Sequence, residues 1–208
     1  MGKAYSEEEK KEIDRKIKEI AREMFREKGL KDVSIMDITK AVGISQGGFY
    51  NFYKNKELLL LTIMIERARD KQRVVIEQLP GSEKNPQGFL IDAIIYFWKI
   101  LKNSKALFHI DTGILNLIWE NKDWFITKQK EELKQMFNTF REYWEAHQAS
   151  VFFDTEAVIG IFYTTSILYM NLTELPKKLS EELAEEHARH MIQKYVTVNV
   201  VSDKGGKR

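Results

Sequence analysis

The 208-residue chain contains no cysteine. Disulfides and thiolate metal sites are therefore excluded, and a reducing compartment is permitted. Proline is scarce as well, with three in the whole chain beside eleven glycines. So few helix breakers, with charge carried mostly by Lys and Glu, predict an all-α protein. A strong excess of one charge is also lacking, and the formal net charge of +2 does not by itself argue for nucleic acid. Long apolar runs are missing too. The most apolar stretch, Ala157 to Met170, is broken by Thr164, Thr165 and Ser166. It falls short of the roughly 18 residues that a membrane span needs. The opening MGKAYSEEEKKEIDRK has no apolar signal segment. These absences predict a cytoplasmic protein with no membrane partner.

What is present points the same way. The chain is 43% hydrophobic and 12% aromatic, ample for a packed core and too apolar for general disorder. Gly2 and Ser6 formally match a myristoylation pattern. Ser6 followed by Glu9 is better read as a capping box that opens a helix reaching Lys28, with Gly29 ending it. Ile13, Ile17, Ile20, Ala21, Met24 and Phe25 recur along it at helical spacing. Ser34 then caps a short helix that should bury Ile35, Ile38, Ala41 and Val42. Gly43 supplies a turn, and Ser45 caps a third helix over about 46–52. Lys56 opens a long fourth helix to Leu79, and Pro80-Gly81 is the next clear break. Helical segments follow throughout, the last two being 155–172 and, after Pro176, 180–196. About nine helices are expected, and no β-alternation is long enough to trust. The expected division is a helix-turn-helix domain over 1–56, a helical regulatory and dimerisation domain over 57–201, and a flexible tail over 202–208.

Charge is distributed unevenly between these parts. Residues 1–56 hold 13 Lys and Arg against 10 Asp and Glu, whereas residues 57–208 hold 20 against 21. The small basic excess therefore lies beside SQGGFYNFYKNK, Ser45 to Lys56. Two short helices joined by a glycine turn and preceded by a longer helix form a helix-turn-helix pattern. Phe49 should point inward from its second helix, leaving Gln46, Gly47, Gly48, Tyr50 and Asn51 outside.

The stretch IAREMFREKGLKDVSIMDITKAVGISQGGFYNFYKNKELLL resembles the N-terminal domain of tetracycline-repressor-type (TetR-type) transcriptional regulators. The likeness covers about residues 10–60. It rests on Ala21, Phe25 and Gly29; on Ile38, Gly43, Ile44 and Ser45; on Gly47; and on Tyr50, Tyr53 and Lys56 followed by Glu57-Leu58. Thr39 stands where Ala is usual, Tyr53 where Phe is usual, and Gly48 where Thr, Ala or Ser is commoner. The resemblance implies that Ser34 and Ser45, at helix N-termini, hold phosphates. It further implies phosphate contacts from Tyr50 and from Lys56 at the start of the fourth helix. Gln46 is the first candidate to read a base, with Asn51 second. Gly47 would let the backbone approach DNA, and Gly48 extends that bare surface.

The resemblance also implies a homodimer built on the last two helices, here through Ile159, Phe162, Ser166, Tyr169, His187 and Met191. Two reading helices about 34 Å apart would then read a palindromic operator. The middle of the chain is aromatic, and large apolar pockets between helices commonly hold small molecules. Phe97, Phe108, His109, Asn116, Trp119, Glu120, Phe137 and Tyr163 are the expected lining for a small apolar or aromatic ligand. Only EEHARH places two of the four histidines close together, without a convincing set of further ligands. No metal, no cofactor and no catalytic residues are expected. The sequence therefore predicts a dimeric, ligand-released repressor. The alternative is an all-helical small-molecule-binding or scaffolding protein that does not contact DNA.

Overall fold

The computed structural model describes residues 5–103, 112–171 and 176–200. Among these residues the chain forms nine α-helices: α1 Glu7–Lys28, α2 Ile35–Val42, α3 Gln46–Phe49, α4 Lys56–Ile76, α5 Pro86–Asn103, α6 Thr112–Glu120, α7 Lys122–Ala146, α8 Thr155–Asn171 and α9 Lys177–Tyr195. The all-α expectation holds, with one addition. Strands β1 Ala149–Phe153 and β2 Val196–Val200 pair antiparallel, with Ala149 opposite Val200 and Phe153 opposite Val196. Five residues are too few to give a readable alternation, and the pairing joins segments more than forty residues apart. Burial of Ala149, Val151 and Val196 pins the register, since a slip of one residue would turn these side chains outward.

The helix ends follow local chemistry. Ser6 and Glu9 form the capping box: the Ser6 N–H donates to Glu9 Oε2 at 2.8 Å and the Glu9 N–H to Ser6 Oγ at 3.1 Å. Ser34 and Asp37 do the same for α2. Gly43 closes α2 at φ 83°, ψ 32°, the left-handed region that glycine enters without steric cost. Helix α3 stops at Phe49, three residues earlier than expected. The Asn51 and Phe52 N–H groups bond back three residues, to Gly48 and Phe49, so the chain tightens into a turn there.

The described chain divides into two compact units. One holds α1 to α3, α4 through Ala68, α6, and α7 through Ile126. Its core joins Ile17, Ala21 and Phe25 of α1 to Val33, Ile38, Phe49, Tyr53 and Leu59 to Leu61. Each Val, Leu, Ile or Phe side chain among them taken fully out of water stabilises by about 1.5–3 kcal/mol. Ala41, expected inside, is exposed. The other unit holds α4 from Arg69, α5, α7 from Thr127, β1, α8, α9 and β2. Phe137, Phe140, Trp144, Leu90, Ile94, Ile159 and Ile192 form its centre. Trp144 Nε1 donates to Ser82 Oγ at 2.8 Å, so its one polar atom is satisfied. No described helix is long and apolar enough to cross a membrane.

Candidate nucleic-acid interface

Helix α3 is a single turn, QGGF, held from behind. Phe49 is fully buried, and its ring meets Tyr53 at 5.9 Å and the edge of Tyr50 at 5.7 Å. Ser45 caps the turn by accepting from the Gly48 N–H at 3.0 Å. Gln46, Gly47, Tyr50 and Asn51 are exposed, and Tyr50 keeps 57% of its surface open. The expected outer face is therefore present, with one correction. Gly48 is buried and points toward the cap: a Cβ there would lie 3.3 Å from Ser45 Oγ and 3.7 Å from Ile44 Cβ. Its neighbour Gly47 is open, with Ser45 Oγ 3.9 Å from a Cβ built on it. Only Gly47 leaves bare backbone at the surface.

The two serines are partly committed. Ser34 Oγ donates to Asp37 Oδ2 at 2.6 Å and accepts from the Asp37 N–H, and this bonding holds the Asp37 carboxyl below its ordinary range. Thr39 is buried, and its hydroxyl donates to the Met36 carbonyl at 3.1 Å, which explains how Thr is accommodated there. Tyr53 is explained in the same way. Its hydroxyl donates to Asp14 Oδ1 at 2.5 Å, tying the end of the motif to α1, and burial with this carboxylate raises its pKa.

Lys56 is the main departure. Its ammonium donates to the carbonyls of Leu30 at 2.7 Å, Val33 at 2.7 Å and Lys31 at 3.4 Å. An ammonium has three protons, and all three are directed at backbone oxygens. The side chain expected on a phosphate is thus engaged within the fold. The residue that caps α4 is Asn55, whose Oδ1 accepts from the Leu58 N–H at 2.8 Å. Asn immediately before a helix start is a cap signal readable from sequence.

Other cations complete the charge pattern. Along α1, Lys10, Arg15, Lys16, Lys18, Arg22 and Arg26 each pair with a carboxylate. Lys28, Lys31, Lys40 and Lys54 are exposed, and none is ion-paired among the described residues. These four surround α2 and α3 in sequence. Lys28 and Lys40 act on the Asp37 carboxyl from a distance, and only the tertiary structure shows that none of the four has a carboxylate within ion-pair distance.

The expected ligand-pocket and dimer residues are dispersed. Phe97 and Phe137 are buried and Tyr163 half-buried in the second unit, whereas Asn116, Trp119 and Glu120 lie exposed in the first. Trp119 keeps 71% of its surface open, with Lys122 Nζ 4.6 Å from its ring centroid. Phe108 and His109 lie outside the described residues. The Tyr163 hydroxyl is buried with no hydrogen-bond partner among the described residues, and burial raises its pKa. Ile159 is buried in the core of its own chain. Phe162 packs its ring on Phe97 at 5.5 Å, and Met191 is half-buried against the same core. His187 Nε2 and Thr164 Oγ1 lie 3.0 Å apart, bridging α9 to α8. Ser166 and Tyr169 fall on α8, their side chains outside the description. These two helices expose Gly160, Thr164, Leu179, Leu183 and His190, none of which was expected, among charged residues such as Glu156, Lys178, Glu182, Glu186 and Arg189.

Residues 17–63 match the family model described as bacterial regulatory proteins, tetR family. No curated protein matches the chain significantly. Among solved structures, a TetR transcriptional regulator from Rhodococcus sp. RHA1 aligns with a TM-score of 0.58 at 14% identity, covering 88% of this chain and 97% of that one. A TetR transcription regulator from Haloarcula marismortui ATCC 43049 aligns with a TM-score of 0.55 at 14% identity, covering 90% and 100%. RolR, in complex with resorcinol, aligns with a TM-score of 0.52 at 16% identity, covering 91% and 98%. Residues 17–63 thus resemble the DNA-binding part of the tetR family, and the chain shares its fold with these regulators over nearly their whole length.

Proposed function

We propose that this protein is a dimeric repressor that binds a palindromic DNA operator through the 45–52 segment and is released by a small molecule held in its helical body. The observation that carries the DNA reading is the sorting of charge around an exposed reading turn. Six cations of α1 from Lys10 to Arg26 pair with neighbouring carboxylates, whereas Lys28, Lys31, Lys40 and Lys54, which flank the exposed Gln46, Gly47, Tyr50 and Asn51 in sequence, are exposed and form no ion pair among the described residues. Such a surface can hold phosphates through Lys54, Lys40 and the Tyr50 hydroxyl, while Gln46 reaches a base edge. Ser34 and Ser45 are exposed at helix N-termini, where backbone N–H groups favour anions.

One reading turn gives little affinity, and two-fold repetition is the usual remedy. The exposed Gly160 and Thr164 of α8, with Leu179 and Leu183 of α9, offer a second copy a surface of small and apolar residues. A ligand is supported by the buried, unpartnered Tyr163 hydroxyl beside an aromatic core, and by the RolR neighbour, which holds resorcinol. The ligand would act by binding one arrangement of the body better than the other, and could lower operator affinity only by that preference.

The test is selection of bound sequences from random duplex DNA. Enrichment of an inverted repeat is expected. Failure to enrich any sequence, with a folded protein, would favour the alternative of a helical binding or scaffolding protein without DNA.

A further inference from the structure

We propose that Tyr53, Asp14, Lys18 and Glu66 form a polar brace that holds the 45–52 segment at a fixed angle to α1 and α4, so that the Tyr53 hydroxyl is a positioning residue for base recognition. This rests on the DNA-binding reading above. The brace starts where the reading segment ends. Tyr53 follows Tyr50 and Asn51 in the tight turn, and its N–H bonds back to the Phe49 carbonyl at 3.1 Å. Its ring packs on the buried Phe49. A phenylalanine ring would pack there equally, so the core does not require the hydroxyl. What the hydroxyl adds is its bond to Asp14 Oδ1 at 2.5 Å, across 39 residues of sequence.

Asp14 is engaged at both oxygens. Its Oδ2 pairs with Lys18 Nζ at 2.7 Å, and the same ammonium reaches Glu66 Oε1 at 2.6 Å. Asp14 and Lys18 lie one helical turn apart on α1, whereas Glu66 stands on α4, two residues before that helix leaves this unit. All three side chains are half-buried, so salt screens them less than it screens a surface pair. One unbroken chain of polar contacts thus ties the end of the reading segment to α1 and α4. Phosphate contacts from long, flexible lysines tolerate a small rotation of that segment. A paired contact from Gln46 or Asn51 to a base edge does not, because it must be held within about 0.5 Å of its productive geometry. The brace therefore acts on discrimination between sequences more than on attraction to DNA.

The test uses the full-length protein with Tyr53→Phe, Lys18→Met and the double substitution. Affinity is measured for the selected operator and for an unrelated duplex of equal length, between 50 and 200 mM salt. Tyr53→Phe should lower operator affinity by about fivefold or more, the value of one base contact. Affinity for the unrelated duplex and the salt slope should not change. Lys18→Met should do the same, and the double variant should bind no more weakly than the weaker single variant, since both break one brace. A role in stability alone would lower the urea midpoint of Tyr53→Phe and leave its preference for the operator unchanged, and that result overturns the proposal. Additive losses in the double variant overturn it too, as does a salt slope reduced by about 0.9 in Lys18→Met, which would assign Lys18 to a phosphate. Should Lys18→Met not fold, Glu66→Gln takes its place in the cycle. Should the wild type select no operator, the DNA reading fails, and hydrogen exchange of amides 50–53 still decides the brace. Tyr53→Phe should speed that exchange by about fivefold, and unchanged exchange would mean that the hydroxyl holds nothing.

Discussion

Gly47 and Gly48 should respond oppositely to the same substitution. Replacing glycine by alanine at a compatible backbone position stabilises by about 0.4–1 kcal/mol, chiefly by restricting the unfolded chain. Neither glycine has positive φ, so alanine fits the backbone at both. At Gly47 the new methyl meets only Ser45 Oγ, at 3.9 Å, and the gain should be realised. At Gly48 it presses to 3.3 Å on Ser45 Oγ, the atom that accepts the Gly48 N–H. An N-cap serine is worth about 1 kcal/mol, so even partial loss of this bond cancels the gain. Gly47→Ala should therefore exceed Gly48→Ala by roughly 0.5–1 kcal/mol. For a chain of this size that is about 1–4 °C in Tm. Urea denaturation of both variants, alone and in a Ser45→Ala background, completes the cycle. With Ser45 Oγ absent, Gly48→Ala should recover the gain. Equal stabilisation by both single substitutions would refute the assignment of Gly48 to the cap. Operator affinity should separate them further: Gly47→Ala places a methyl on the open face and should weaken binding, whereas Gly48→Ala acts only through the cap.

Three further outcomes are expected. Tyr53→Phe removes the hydroxyl that donates to Asp14 and should cost about 1 kcal/mol in urea denaturation, a net hydrogen bond; no change would mean that the Lys18–Asp14 ion pair at 2.7 Å already holds α1. Arg69 grips Glu132 through two hydrogen bonds and holds its carboxyl below the ordinary 4.5. A carboxyl depressed in the folded state stabilises above its unfolded pKa and loses that contribution as pH falls through the folded value. Stability should thus begin to fall below about pH 4.5, and Glu132→Gln should show a shallower acid limb; an identical limb would exclude this pair as a source. Trp144→Ala should cost about 3–5 kcal/mol, since it empties a buried site and strands Ser82 Oγ. Trp119→Ala should change stability by less than about 0.5 kcal/mol. A large loss from Trp119→Ala would mean that its indole is covered in solution.

Much of the first unit was legible because its signals are local. Ser6 with Glu9, Ser34 before an apolar period, Gly43 after it and Phe49 at the next inward position each act within four residues. Capping, periodicity and left-handed turns need no distant partner, so they can be read from neighbours alone. Lys56 could not be read that way. Its acceptors lie 23 to 26 residues earlier, and only the folded loop brings three carbonyls to one ammonium. Gly48 was misplaced because a four-residue helix gives too little periodicity to tell its inner face from its outer one.

The body divides along the same line. Its helices were visible, but aromatic residues at helical spacing look alike whether they form a core, line a pocket or stand in solvent. Packing alone decided that Phe137 and Trp144 are buried while Trp119 is exposed, and that Ile159 faces inward while Leu179 and Leu183 face outward. Sequence by itself determined the helical class, the helix-turn-helix motif and its resemblance to a known family, because these rest on short-range patterns. Tertiary structure decided which polar atoms are already satisfied, and therefore which lysines remain exposed and unpaired for a partner, because satisfaction depends on groups far apart in the chain.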